Sequence, residues 1–482
     1  MFTSYLDHFF QRYPYSLSTL AAALLILTVP PVDLAAVVCI ALVPLYIAIL
    51  RAPTGSSVIV HGVIFGGVFS GYVTYVVLAG FHWFADAALF VWFMYGVGVM
   101  IVLVSTGISV AWLYVVWRVF QRYRSAWVRI GMFTTYALVD TALVAALYGF
   151  HYGSLQYAVP ALDSLVWAIG YVPVVVVIIG LVGVNACLAE VMLRARAALV
   201  LASVALVGVL VAGPFTPRIP MGTTAMTVAI IQDDERTEAD IFGRVVDGEY
   251  TFPRLAAQVS EAAAAEPDVI VYPFNPWTGV MQEAGETVAF DRDVVAVTDE
   301  QFTSWVAQTV PDGVVFVTWY TVYRSGQFFN EIGYWYQGEQ IGAYQKQALF
   351  PFFDYTPAWA QQIGLFSTPF DGSAGDGRVV TGPEGVRFGS LICSEVGSAP
   401  VVADMATRSD IVFAIGSEAM FSHEFPARYN YMVAHMHART HAVPVVRATK
   451  LGPSGIFLPS GAVVAMRSYG DTGIVVGDIP IP

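Results

Sequence analysis

The chain has 482 residues, of which 57% are hydrophobic and 12% charged, about half the charge of an ordinary soluble domain. That length accommodates two or three domains, and the composition excludes a disordered chain and argues against a simple cytosolic enzyme. Net charge is +3 over residues 1–219 and −16 over 220–482, and an acidic second half argues against nucleic acid as a partner, because phosphate recognition needs clustered Lys and Arg.

The first 214 residues carry seven apolar segments: Tyr15–Pro30, Leu34–Leu50, Val58–Val77, Leu89–Trp117, Trp127–Phe150, Leu165–Glu190 and Ala197–Gly213. Crossing hydrocarbon takes roughly 20 mostly apolar residues. The repetition predicts a multi-pass α-helical membrane domain over 1–214, of about seven helices. The first two segments are short and share the break Val29-Pro30-Pro31-Val32, so they read as short spans or a re-entrant pair. Arg12, Arg51, Arg118, Arg122, Arg124, Arg129, Arg194 and Arg196 fall on one side of these segments, and the short opposite loops hold no arginine. Positive charge stays cytoplasmic. The N-terminus is therefore predicted inside and the second half outside. The opposite loop Tyr148–Tyr157 is rich in aromatics and glycine, which suits the boundary of lipid and water. It reads as a simple anchor or as a lip for a lipid head group.

After Pro214 short apolar runs alternate with amphipathic stretches. Thr227–Gln232, Asp268–Tyr272, Gly313–Trp319, Ile332–Tyr336, Gly389–Cys393, Ile411–Ile415, Val443–Ala448 and Ile456–Leu458 read as strands. Glu249–Ala265, Asp299–Thr309 and Pro426–His441 read as helices. The alternation predicts a layered α/β domain over 215–482. There is no Gly-rich phosphate loop and no HExxH, so no cofactor is expected. The three cysteines, Cys39, Cys187 and Cys393, do not form a disulfide framework. His423, His435, His437 and His441 cluster in sequence without a matching Asp, Glu or Cys set, so no metal site is expected. Histidines near a reaction site can still carry protons.

Cys393 ends an apolar strand pattern, and Ser394-Glu395-Val396-Gly397 reads as a turn opening a helix. Backbone N–H groups and a positive helix end at such a corner lower a thiol's pKa and hold an oxyanion. The alternative is a buried cysteine acting as a small hydrophobe. Lys346 is one of two lysines, against 21 arginines. Where Arg is the default base, a Lys answers a need for a compact, tunable charge, although a solvated surface Lys is the simpler reading.

These residues carry a resemblance. Tyr344-Gln-Lys346…Leu349-Phe-Pro-Phe352 is similar to the Y-x-K-x-x-L-V-P-F segment of the nitrilase, or carbon–nitrogen hydrolase, superfamily. Leu391-Ile-Cys393-Ser-Glu395 resembles its I-C-Y-E nucleophile segment, and Phe329-Asn330 its Y-N. Gly149-Phe-His-Tyr-Gly-Ser-Leu-Gln156 resembles the G-F-P-W…G-Y-x-Q loop of the apolipoprotein N-acyltransferase family, which the seven preceding segments also resemble. The resemblance implies a four-layer α-β-β-α nitrilase-like domain with a Glu–Lys–Cys triad. Cys393 would attack a carbonyl and become an acyl thioester. Lys346 would stabilise the oxyanion, and the Glu would move the protons.

In Val269-Ile-Val-Tyr-Pro-Phe274-Asn-Pro-Trp277, however, Phe274 stands where the resemblance implies that Glu. Its ring would desolvate the site and leave Lys346 as a base. Asp354 stands for the Glu of P-F-G-E, and Met420 for the Trp of N-D-A-W-F. Glu395, Asp354 and Glu418 are the candidates for the missing acid–base group. Phe150, Tyr152, Trp277 and Met420 are the implied substrate contacts. The implied partners are a phospholipid donor and a lipoprotein acceptor. The implied location is the bacterial inner (cytoplasmic) membrane, with the catalytic domain extracytoplasmic. A catalytically impaired relative that binds lipid or lipoprotein, and a membrane-anchored amidase, are the alternatives.

Overall fold

The structure is a computed structural model that describes residues 12–30, 32–79, 88–146, 154–155, 168–194, 224–233, 251–274, 279–282, 295–351, 354–364, 375–419, 421 and 424–481. The chain divides into two compact units. One comprises Met1–Gly80 with Val91–Pro217, the other Phe81–Phe90 with Arg218–Pro482.

The described part of the first unit is helical. Gly55–Leu78, Trp92–Arg122 and Val174–Leu193 are long and apolar enough to cross a membrane. Their sequences are apolar all round rather than on one stripe, the pattern of a helix immersed in lipid or core. The first two predicted segments fold shorter. Ser16–Ile26 is a helix of 11 residues, and a 3-10 turn at Ala35–Cys39 precedes the helix Val43–Arg51. The break between the last two frees backbone groups that lipid cannot satisfy. Asn185 satisfies them from the helix Val174–Arg194. Its Oδ1 accepts from Leu42 N at 2.8 Å and its Nδ2 donates to Val38 O at 2.9 Å.

The fifth predicted segment is two helices, Ala126–Thr134 and Tyr136–Ala146. Arg129, one of the arginines that the sequence sets on one side of the segments, is buried against Glu190. Its Nε donates to Glu190 Oε1 at 2.7 Å, and Tyr46 Oη donates to the same oxygen at 2.6 Å. Pairing offsets the cost of two buried charges. The predicted segment Ala197–Gly213 lies outside the described residues.

The second unit contains two sheets flanked by helices. The strands are β1 Thr224–Gln232, β2 Val269–Phe274, β3 Gly279–Gln282, β4 Val295–Thr298, β5 Val315–Arg324, β6 Gln327–Tyr336, β7 Glu339–Gln345, β8 Val380–Thr381, β9 Arg387–Ile392, β10 Ile411–Ser417, β11 Val445–Lys450, β12 Ser454–Phe457, β13 Val463–Arg467 and β14 Gly473–Ile481. One sheet has the order β14-β1-β2-β5-β3-β4, with β6 and β7 continuing from β5; the other runs β13-β12-β11-β10-β9-β8. All eight predicted strands are present. The predicted strand Val443–Ala448 starts two residues later as β11, because Pro444 has no N–H for the ladder.

β1, β2 and β5 are parallel, as are β9, β10 and β11, and parallel strands need cover on both faces. Helices Thr251–Ala263 and Asp299–Thr309 cover the first sheet through Leu255, Val259, Phe302 and Val306, packed on Ile270, Phe316 and Trp335. The second carries Ala399–Arg408 and Glu424–Thr440. Between the sheets Tyr334 of β6 stacks on Phe388 of β9 at 5.6 Å and shares a 2.5 Å hydrogen bond with Ser390. The result is the expected helix–sheet–sheet–helix domain.

Candidate active site

β9 and β10 run parallel with Ile392 opposite Ile415, and β10 and β11 with Ser417 opposite Lys450. The residues that follow these strands therefore share one sheet edge. In open α/β sheets this carboxyl edge is where ligands gather. Cys393 is the first residue past β9. Its φ is +51°, a left-handed conformation that costs a non-Gly residue energy and marks functional corners. Cys393–Gly397 is a 3-10 turn that leads into the helix Ala399–Arg408, in line with the turn opening a helix read from sequence. The α-helix begins only at Ala399, because Pro400 suits a first helical turn. The thiol is half-buried.

Lys346 is the first residue past β7. Its N–H donates to Asn330 O at 2.9 Å, continuing the β6–β7 ladder. Its Nζ donates to Asp354 Oδ2 at 2.5 Å, and both side chains are buried. Phe350 N donates to the same oxygen at 2.7 Å and Asn330 Nδ2 to Asp354 Oδ1 at 3.2 Å. Glu395 is fully buried and accepts four hydrogen bonds. Tyr344 Oη (2.9 Å), Gln347 N (2.6 Å) and Ala348 N (2.9 Å) reach Oε1; Ile392 N (2.8 Å) reaches Oε2. One carboxylate thus ties the segment after Lys346 to the strand end before Cys393.

Residues 227–482 match the family described as Carbon-nitrogen hydrolase. The chain belongs to the carbon-nitrogen hydrolase family. Among curated proteins, apolipoprotein N-acyltransferase of Agrobacterium fabrum is 25% identical over 268 residues, 52% of this chain and 47% of that protein. That of Sinorhizobium fredii is 25% identical over 279 residues, 55% and 50% respectively. That of Pseudomonas paraeruginosa is 27% identical over 160 residues, 32% and 31%. The chain spans about half the length of the first two relatives or less of the third. Among solved structures, the glutamine-dependent NAD+ synthetase from Acinetobacter baumannii in complex with ADP aligns at TM-score 0.40 and 14% identity, covering 53% of this chain and 45% of that one. Saccharomyces cerevisiae Nit3, a member of branch 10 of the nitrilase superfamily, aligns at TM-score 0.37 and 12% identity, covering 55% and 93%.

In this member of the family, electrostatics corrects two expectations. Burial pushes the Cys393 thiol up to about 11, and Glu418 and Asp354 add to this. Lys346 and Arg447 pull it back without prevailing, so the corner does not lower the thiol's pKa as the sequence suggested. Burial also works against the Lys346 ammonium, but Asp354, Cys393 and Glu395 outweigh it and hold the group above the ordinary lysine range. Lys346 therefore keeps its proton, which removes the expectation that it acts as a base. Burial raises the Glu395 carboxyl, while Lys346 and the N–H groups of Ile392, Ala348 and Gln347 oppose that shift.

Phe274 ends β2, buried, its ring centroid 4.0 Å from that of Trp319 at an angle of 40°. Glu418 follows β10 and is ion-paired, fully within the interior, with Arg447 of β11; Asn430 Nδ2 donates to it at 3.2 Å. Sequence reasoning missed Arg447. The available signal was an arginine inside Val445-Val446-Arg447-Ala448, an apolar strand where a charge needs a partner. The histidines have structural partners. His435 Nε2 bonds Gly461 O and His437 Nε2 bonds Val396 O, both at 2.7 Å. Burial pushes His437 down to about 4, with Val396 O opposing and His441 assisting, so the ring is uncharged near neutral pH and donates its one N–H to Val396 O. Phe150, Tyr152, Trp277, Met420 and His423 lie outside the described residues.

Proposed function

We propose that this protein transfers an acyl chain from a phospholipid, through a thioester on Cys393, to the N-terminal amine of a lipoprotein. The observation that carries the reading is the buried Lys346–Asp354 pair, tied through Glu395 to the strained strand end that bears Cys393, in a family domain whose relatives include proteins named apolipoprotein N-acyltransferase. In the first step Cys393 Sγ bonds the ester carbonyl carbon, and the ester C–O bond breaks. The thiol proton goes to the departing lysophospholipid hydroxyl. The Lys346 ammonium faces the negative charge that develops on the carbonyl oxygen, where a fixed cation is most effective. In the second step the amine nitrogen bonds the acyl carbon, the C–S bond breaks, and one amine proton returns to sulfur. Residues 1–214 form the membrane anchor, the N-terminus is cytoplasmic, and 215–482 form the catalytic domain on the outer side of the bacterial inner membrane. Asp354 holds Lys346 in its charged form, and Glu395 fixes the corner that presents Cys393.

The purified protein, incubated with a fluorescent phospholipid, is expected to form an acyl adduct that hydroxylamine releases and that Cys393→Ser lacks. Phe274→Glu is expected to accelerate its formation, because a positioned acid–base group is typically worth about 10²–10⁴ in rate. Phe274 and the high thiol pKa favour one second reading, a relative that binds lipid without turning it over. Absence of an adduct in both wild type and Phe274→Glu selects that reading.

A further inference from the structure

We infer that Asn330 is a positioning residue of the Cys393–Lys346 site and that the indole of Trp319 secures its orientation. The inference rests on reading Cys393 and Lys346 as one site. Trp319 of β5 pairs with Ile332 of β6, so Asn330, two residues before Ile332, is a diagonal neighbour on the same face. Trp319 Nε1 donates to Asn330 Oδ1 at 3.1 Å. Asn330 Nδ2 then donates to Asp354 Oδ1 at 3.2 Å, and Asp354 Oδ2 accepts from Lys346 Nζ at 2.5 Å. All four side chains are buried.

Residue chemistry fixes this direction. An indole N–H only donates and a carboxylate only accepts, whereas an amide has one end of each kind. With the indole present, the amide oxygen turns toward Trp319 and the NH2 toward Asp354. Without it, the amide oxygen loses its donor and Asp354 alone still orients the amide, so the hold on Asp354 and through it on Lys346 loosens. Asn330 also grips the backbone of Lys346 through its carbonyl, at 2.9 Å. The Phe274 ring packs on the indole, with centroids 4.0 Å apart. The residue that replaces the family acid thereby supports the lysine that remains.

Iodoacetamide alkylation of Cys393 tests this, with the full-length protein in detergent and the rate followed by mass spectrometry of the Cys393 peptide across pH. Trp319→Phe keeps an aromatic ring beside Phe274 and removes the N–H. It is expected to slow alkylation at pH 9 by threefold or more and to shift the rate profile to higher pH, because a displaced ammonium no longer favours the thiolate. Lys346→Met is expected to shift it at least as far. Trp335→Phe removes another buried indole N–H, bonded to Thr303 Oγ1 at 3.3 Å, and is expected to lower thermal stability without moving the profile. If Lys346→Met shifts the profile and Trp319→Phe does not, the inference fails while the site stands. An equal shift from Trp335→Phe also overturns it, since general loosening then explains the effect. If Lys346→Met has no effect, the shared-site reading itself fails. Should Trp319→Phe not fold, Asn330→Ser removes the amide and is expected to shift the profile as well; an unmoved profile in that variant overturns the inference.

Discussion

Replacing Glu395 with glutamine is expected to weaken the second unit severely although the two side chains have the same shape. The Glu395 carboxylate accepts three donors on Oε1 and one, Ile392 N, on Oε2. An amide offers one accepting oxygen. If that oxygen takes the three donors, the NH2 group faces the Ile392 N–H, donor against donor, and strands a buried backbone group. Leaving a buried donor unpaired costs about 1–3 kcal/mol, and hydrogen bonds to a charged group are worth about 1.5–3 kcal/mol each against about 0.5–1.5 for neutral ones. One lost bond and three weakened ones give a deficit of about 3–6 kcal/mol, a large share of the roughly 5–15 kcal/mol that stabilises a typical domain. For a domain of this size each kcal/mol moves the midpoint by about 2–4 °C, so the transition is expected about 6–24 °C lower. Thermal unfolding of the full-length protein in detergent, followed by tryptophan fluorescence, measures it. A Glu395→Gln protein within about 1 kcal/mol of wild type would show that the four donors are not tied by charge, and the account of Glu395 as the link between the Lys346 and Cys393 segments would fall.

Alkaline pH is expected to destabilise the wild type through Cys393. Its thiol ionises near 9.0 when unfolded and about 11 when folded, so between these values the folded state keeps a proton that the unfolded state has lost. Stability therefore falls as pH rises through that window. The difference amounts to about 2–3 kcal/mol, and pH-dependent melts should show Cys393→Ser losing that much less. Lys346, raised above 10.5, adds stability that is complete below that pH and fades at higher pH. Glu418→Gln leaves buried Arg447 without its counter-charge and is expected to cost about 3–5 kcal/mol. Replacing both by leucine should recover most of this in denaturant melts, and a double variant no better than the single one would refute the pairing argument. Reporter fusions after Gly55 and after Pro220 are expected to behave as cytoplasmic and extracytoplasmic; the same side for both would sink the proposed topology.

The parts of this molecule legible in the sequence are those whose signal is carried by single segments. Fully buried strands such as β2 and β10 announce themselves as nearly continuous apolar runs. β7, Glu-Gln-Ile-Gly-Ala-Tyr-Gln, and β14, with its Asp478 and Pro480, do not, because each is partly exposed and mixes polar and apolar residues. Pairing makes them strands: β7 along β6, and β14 along the whole of β1. Cys393 and Lys346 were visible as candidates for a similar reason, one as a thiol at a strand end and the other as a rare lysine. What was invisible is the direction of their environment. The sequence reading weighed a helix end and a nearby cation against an apolar ring and expected a free base at Lys346. The folded site instead encloses Lys346 with Asp354 and desolvates the half-buried thiol, which moves both pKa values upward. The sign depends on burial and on which carboxylate meets which cation, quantities that register and packing determine. Asn330 makes the point sharply. Its position before Lys346 was readable as a motif, but its task follows only from β5–β6 register, which sets it diagonal to Trp319, and from the one-way chemistry of an indole donor. The proposed consequence of Phe274 is therefore read through Trp319, Asn330 and Asp354 together, and the experiments that perturb that chain test it more directly than substitution of Phe274 alone.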